Sequence, residues 1–107
     1  MDLWGEINQL EGKIIRTLDQ RKPFEVVDVN DKAVIIKPFV RGIERRIPRK
    51  EIEESYRELV ALGQLSRSQI MDLYSPWNPA FVTAILAELP HVTHTVRPII
   101  LYYKIEK

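Results

Sequence analysis

The sequence predicts an α+β fold, in which an antiparallel sheet of about four strands is joined to a three-helix unit and a C-terminal strand. Residues 13–47 favour strands, because β-branched and apolar residues there are broken by short polar turns. Residues 49–89 instead carry apolar residues at helical spacing, with clear start and stop signals. Residues 92–105 return to an extended pattern.

The N-terminal half begins with a short amphipathic helix over residues 2–10, which we expect to pack Trp4 and Ile7 on the sheet. Four strands follow. Their predicted ranges are Lys13–Leu18, Phe24–Val29, Ala33–Phe39 and Ile43–Ile47. The third has no polar face and is expected to be central, whereas the fourth is expected to turn Ile43 and Ile47 inward.

Three helices are predicted in the second half. The first spans residues 49–62, with an apolar stripe that includes Val60, and ends at Gly63 as its C-cap. The second spans residues 67–74 and buries Ile70 and Leu73. Its start carries a capping box and a hydrophobic staple. The residues of the box are Ser66 and Gln69, and those of the staple are Leu65 and Ile70.

The third helix is predicted over residues 79–89. Asn78 is suited to accept the first N–H groups, and Pro79 suits the first helical position. Trp77 and Val82 are placed to form a second hydrophobic staple. After Pro90 the chain is predicted to run extended over residues 92–105 and to rejoin the sheet as a C-terminal strand.

Length and composition indicate one domain over residues 1–107. Residues 1–47 hold the N-terminal helix and the antiparallel strands, and residues 48–107 hold the three helices and the C-terminal strand. The apolar fraction of 45% is typical of globular proteins and excludes a disordered chain. The absence of cysteine excludes disulfides and thiolate chemistry. Neither a signal peptide nor a membrane-spanning run is visible, so we expect a cytoplasmic protein without a membrane partner.

Basic residues gather in one stretch although the net charge is only +1. Residues 32–50 hold seven Lys or Arg side chains and a single acid, Glu44. Six of the seven define a basic cluster on the predicted third and fourth strands, their turn and the next helix start. Its members are Lys37, Arg41, Arg45, Arg46, Arg49 and Lys50. The cluster predicts contact with the phosphate backbone of DNA or RNA, without sequence readout. The alternative is a solvated surface that protects an edge strand.

A second hypothesis is protein interaction or homodimerisation through the last strand. Its candidate interface residues are Ile99, Leu101, Tyr102 and Tyr103. An uncovered apolar strand of this kind can be completed by a second copy across a two-fold axis. A dimer would also present two basic clusters at once, so the two hypotheses are compatible.

Catalytic and metal-binding patterns are weak. His91 and His94 are three residues apart, but in an extended segment their rings point to opposite faces. The acids at 51, 53, 54 and 58 fall outside the apolar stripe of their helix, and Glu53 is placed to pair with Arg57. A nucleophile elbow and a glycine-rich phosphate loop are both missing. We therefore expect no enzyme, catalytic residue, cofactor, metal or small-molecule substrate.

Residues 43–105, a strand followed by three helices and a terminal strand region, resemble a winged helix. The segment 65–70 is similar to the opening of the second helix in many such domains. Residues 47–53 and 78–90 also resemble a set of small bacterial proteins of unknown function. The resemblance implies DNA binding by the third helix, but the non-core face predicted there lacks Arg, Lys and Gln. That face would hold Ala80, Thr83, Ala84, Ala87 and Glu88.

Overall fold

The computed structural model describes residues 2–105. They form four helices and seven strands, and the strands make two sheets. The helices are α1 (Leu3–Asn8), α2 (Arg49–Leu62), α3 (Arg67–Leu73) and α4 (Pro79–Ala87). The strands are β1 (Ile14–Arg16), β2 (Pro23–Val29), β3 (Ala33–Pro38), β4 (Arg45–Pro48), β5 (Gln64–Ser66), β6 (Val92–Thr95) and β7 (Ile100–Tyr103). The predicted α+β class is confirmed.

The first sheet is an antiparallel meander in the order β1-β2-β3-β4. β3 is an inner strand, and Val34 and Ile36 on it are buried, as its unbroken apolar run predicts. Ile47 on β4 is also buried. The prediction for Ile43 is wrong, because β4 begins only at Arg45 and leaves the Ile43 side chain 69% exposed in the preceding loop.

Local capping chemistry decides where α2 ends and α3 begins. Gly63 caps α2 in the left-handed region with a φ of 79°. Ser66 Oγ accepts a hydrogen bond from the Gln69 N–H at 3.1 Å, and the Ser66 N–H donates to Gln69 Oε1 at 2.9 Å. The capping box is therefore confirmed. Val60 and Leu73 are exposed, although the sequence predicts that both are buried. Leu73 is the last residue of α3, and its side chain faces away from the core.

The predicted start of α4 is right in position and wrong in chemistry. Pro79 is the first residue of α4, but the Asn78 side chain makes no capping hydrogen bond. Trp77 is 79% exposed and cannot form a staple with the buried Val82. Most of α4 is buried, including Thr83 and Ala84 on the face that the sequence assigned to solvent.

The C-terminal run is two strands rather than one. β6 and β7 form an antiparallel hairpin, and β7 also pairs with β5, which gives a second sheet in the order β5-β7-β6. The prediction that a C-terminal strand rejoins the first sheet is therefore wrong. Arg97 lies in the left-handed region and Pro98 has no N–H to donate, so extended pairing stops between the two strands.

One cluster of buried apolar side chains connects all four helices with both sheets. α1 contributes Trp4 and Ile7, as predicted, and the Trp4 indole N–H donates to the Asn30 carbonyl at 2.8 Å. Phe24 on β2 meets Phe81 on α4 edge to face, with ring centroids 5.1 Å apart. Each fully buried large apolar side chain stabilises the fold by roughly 1.5–3 kcal/mol, so this shared core joins the two halves firmly.

Candidate nucleic-acid interface

The structure distributes the basic cluster over β3, β4, the loop between them and the first turn of α2. Lys37 lies on β3 and Arg41 in the loop, whereas Arg45 and Arg46 are consecutive on β4. Arg49 and Lys50 are the first two residues of α2. Five of the six are exposed, and Arg49 is half-buried. The six therefore belong to four different parts of the fold.

Strand alternation separates Arg45 from Arg46. Arg46 is paired with Ile35 and therefore shares the outer face of the sheet with Lys37. Arg45 is paired with the buried Ile36 and lies on the face turned toward α4. There its guanidinium donates to the Trp77 carbonyl at 2.9 Å and lies 5.2 Å from the centre of the Phe81 ring.

Arg49 has a structural role. Its guanidinium lies 4.6 Å from the centre of the Trp4 ring and 3.2 Å from Glu53 Oε1, and it donates to the Asp31 carbonyl at 3.2 Å. The predicted pairing of Glu53 with Arg57 is wrong, because Glu53 pairs with Arg49 one turn earlier. Arg49 thus ties α1 and the β2–β3 turn to α2, and its charge is already compensated.

Lys50 is only weakly engaged. Its ammonium lies 3.9 Å from Glu54 Oε1, and its side chain is 81% exposed. An exposed pair of this kind contributes less than about 1 kcal/mol, so a phosphate can compete with Glu54 for Lys50.

Lys37, Arg41 and Arg46 form no ion pair with any residue between 2 and 105. Two acidic side chains lower the positive potential around these three cations. Glu25 is paired with Lys37 across β2 and β3, and Glu44 precedes β4. Arg41 has a φ of 74° and Gly42 a φ of 66°, so the chain turns through two consecutive residues in the left-handed region. This turn carries the Arg41 side chain at the end of the hairpin.

The loop that carries Arg41 also exposes apolar side chains. We call residues 39–44 the hairpin tip. Phe39 is 57% exposed, Val40 66% and Ile43 69%. The sequence does not predict this tip, because Phe39 continues the apolar run of β3 and Ile43 has the spacing of an inward strand residue with Ile47. Pro38, which has no N–H for strand pairing, and Arg41-Gly42, which favours a turn, are the sequence signals that mark this loop.

Trp77 lies beside the hairpin, because Arg45 on β4 hydrogen-bonds its carbonyl oxygen. An exposed aromatic ring beside an arginine is a combination by which proteins stack bases while they hold phosphates. The sequence interpretation assigned this ring to helix packing, and its exposure is the correction.

The predicted interface on the last strand is mostly engaged within the fold. Leu101 is fully buried, and β7 is the middle strand of its sheet, so it has no open edge. The Tyr103 ring meets Tyr56 with centroids 6.0 Å apart and His91 at 6.2 Å. Burial, with a further contribution from Tyr103, raises the pKa of Tyr56 to about 12. Tyr102 is half-buried, and Ile99, also half-buried, lines a cavity.

Other predicted features show no assembled chemistry. Between residues 2 and 105, no group of three or more His, Asp or Glu side chains is arranged to hold a metal ion. Glu51 accepts a hydrogen bond from the buried Ser75 hydroxyl, which fixes the end of α3 to α2. None of α1 to α4 is long and apolar enough to cross a membrane.

No protein-family model matches the chain, and neither does any curated protein or solved structure.

Proposed function

We propose that this protein is a small, non-catalytic, cytoplasmic module that binds the phosphate backbone of DNA or RNA through the β3–β4 hairpin. The observation that carries the proposal is the hairpin itself. It holds Lys37, Arg41 and Arg46, which form no ion pair within residues 2–105, around an exposed apolar tip. Arg45 adds charge on the opposite face of β4, and Lys50 adds charge on the first turn of α2.

The hairpin favours contact with phosphates over the reading of bases. Sequence readout in the major groove requires polar side chains on an exposed helix or ribbon. α4 is mostly buried and carries no cation, so it is unsuited to that role. We therefore propose little sequence preference, with affinity that depends on counterion release.

The hairpin tip supplies a contact that phosphates alone do not. Apolar side chains in DNA-binding proteins insert between base steps, and aromatic rings stack on unpaired bases. Phe39 and Ile43 are exposed on the same loop as Arg41. We propose that they touch bases while Lys37, Arg41 and Arg46 hold the backbone, which favours single strands or a deformed duplex.

The test is fluorescence anisotropy of labelled duplex and single-stranded DNA with a doubly neutral variant, Arg41→Asn with Arg46→Gln. Asn tolerates the positive φ at position 41, so the turn is kept while both charges are removed. We expect binding to weaken by about tenfold or more at low salt.

The matched control removes two exposed cations elsewhere, by Arg57→Gln with Lys104→Gln. It has the same net charge as the test variant and should bind like the wild type. Equal affinities for both variants would show that any binding follows net charge alone, and the hairpin would lose its role.

A second candidate is a protein-interaction or homodimerisation domain. It is favoured by Met71, Leu73 and Trp77, which are all exposed near the end of α3. Apolar side chains grouped on a surface mark contact sites in soluble proteins. A concentration-dependent sedimentation coefficient that Leu73→Ser with Trp77→Ser abolishes would favour the interaction candidate.

The order of α2, α3, α4 and a terminal hairpin also supports the proposed winged-helix likeness, without base readout.

A further inference from the structure

A cavity of about 270 Å³ lies beside the basic hairpin. Its walls are the β1–β2 turn, the end of β3 and the first residues of α3 and α4. Val40 belongs both to the hairpin tip and to the rim of this cavity. Pockets for drug-sized ligands usually measure about 300–1,000 Å³, so this one suits a smaller molecule.

The charge balance of the cavity favours an anion. Lys22 and Arg67 line it, are exposed and make no ion pair with any residue in the range 2–105. The lining contains one carboxylate, Asp19, which lies 3.2 Å from the Arg97 guanidinium outside the lining. The lining therefore carries two positive charges against one negative charge, and Arg97 lies beside that negative charge.

The rest of the lining is mostly apolar, with Thr17, Gln20 and Thr83 as its polar members, and it includes an aromatic ring. Phe81 lines the cavity together with Leu18, Pro23 and Ile99. The Phe81 ring is fixed by its edge-to-face contact with Phe24. A planar ring with one negatively charged substituent matches a site that is apolar on one side and cationic on the other.

The walls are also held in place by hydrogen bonds. In the β1–β2 turn, the Lys22 N–H donates to Thr17 Oγ1 at 3.0 Å and the Thr17 N–H donates to the Lys22 carbonyl at 3.0 Å. Across the cavity, the Arg67 N–H donates to the Ile99 carbonyl at 3.0 Å. A site whose walls are already ordered loses less entropy when it binds a ligand.

We propose that this cavity binds one nucleotide, with its base against Phe81 and its phosphate between Lys22 and Arg67. The nucleotide is either a free mononucleotide or one unit of a strand that lies along the hairpin. Only the second source rests on the nucleic-acid binding proposed above.

The experiment is a titration of the isotope-labelled protein with AMP, followed by the backbone amide resonances in NMR spectra. We expect AMP to shift the amides of residues 17–22 and 81, and adenosine, which lacks the phosphate, to bind more weakly. Arg67→Gln should weaken AMP binding by about tenfold, the loss expected for a charge-assisted hydrogen bond. Lys22→Gln should act in the same direction, whereas Arg57→Gln, on α2 and outside the lining, should not.

The same titration with a short single-stranded oligonucleotide separates the two sources. Shifts at residues 17–22 that Arg67→Gln weakens would assign the site to a strand, and shifts with AMP alone would assign it to a free nucleotide. Amides that stay unmoved by millimolar AMP and by the oligonucleotide would overturn the proposal. Oligonucleotide binding that depends on Arg41 and Arg46 but not on Arg67 would overturn it while leaving the proposed function standing.

Discussion

The β3–β4 and β6–β7 hairpins each place an arginine at or near the turn and use it in opposite ways. In the β3–β4 hairpin, Arg41 has no ion-pair partner among the residues described, and apolar side chains beside it are exposed. In the β6–β7 hairpin, Arg97 pairs with Asp19 at 3.2 Å. The Thr95 hydroxyl there donates to the Pro98 carbonyl at 3.0 Å and closes the turn.

The difference lies in how each hairpin is attached to the core. β7 is the middle strand of its sheet, and Tyr103 packs on Tyr56 of α2. The residues beyond β3 and before β4 contribute no buried large side chain. The strands of both hairpins contribute buried side chains, so the difference lies in the turns: the β6–β7 turn is tied by the Arg97–Asp19 pair, whereas the hairpin tip exposes its apolar side chains and Arg41. The number of basic residues in a segment is therefore a poorer guide to function than the number left without partners.

The largest effect expected from this comparison is on stability. Tyr103→Ala removes a half-buried ring from the contact with Tyr56 and His91 and should lower the free energy of unfolding by about 2 kcal/mol. Urea denaturation followed by circular dichroism measures it. DNA binding by the folded variant should match the wild type, and a loss of binding without a loss of stability would reverse the assigned roles.

The complementary change is Phe39→Ser with Ile43→Ser in the hairpin tip. Both side chains are exposed, so the free energy of unfolding should change by less than about 0.5 kcal/mol. Binding to single-stranded DNA should weaken about threefold to tenfold, because a base contact is lost. A clear drop in the unfolding midpoint with unchanged binding would show that the tip is structural.

The smallest effect concerns alkaline pH. The pKa of Tyr56 is raised from its ordinary value of 10.0 to about 12, mainly by burial, so the folded state keeps this proton more tightly than the unfolded state. Its contribution to stability is complete below pH 10.0 and is lost as the pH rises toward about 12. Tyr56→Phe should flatten the fall in stability over that range, as measured by urea midpoints. If the urea midpoint fell equally steeply with pH in the wild type and in Tyr56→Phe, the raised pKa of Tyr56 would be contradicted.

Local signals in the sequence were sufficient for most of the fold. The Ser66–Gln69 capping box and the Gly63 C-cap depend on neighbours within a few residues, and both were predicted correctly. The β6–β7 hairpin was missed because alternation on both sides of Arg97-Pro98 looks like one strand. Whether two segments pair with each other or with another sheet is decided by tertiary packing.

The candidate site was only partly readable from sequence. Its basic residues are close in sequence, so the sequence predicts them as a group. The ion pairs they form and the sheet face on which each side chain lies depend on strand register and tertiary packing. Arg45 and Arg46 separate because a strand alternates, and Arg49 is engaged because α1 brings Trp4 to it. The cavity draws its lining from five separate stretches of the chain, so no local motif marks it.

The most direct test of the account is the salt dependence of DNA binding by the wild type and by Arg41→Asn with Arg46→Gln. Three phosphate contacts predict a slope of about −3 for the logarithm of duplex affinity against the logarithm of salt concentration. Removal of two contacts should bring the slope to about −1. A wild-type slope near zero, or an equal slope in both proteins, would contradict the claim that the hairpin cations hold nucleic acid.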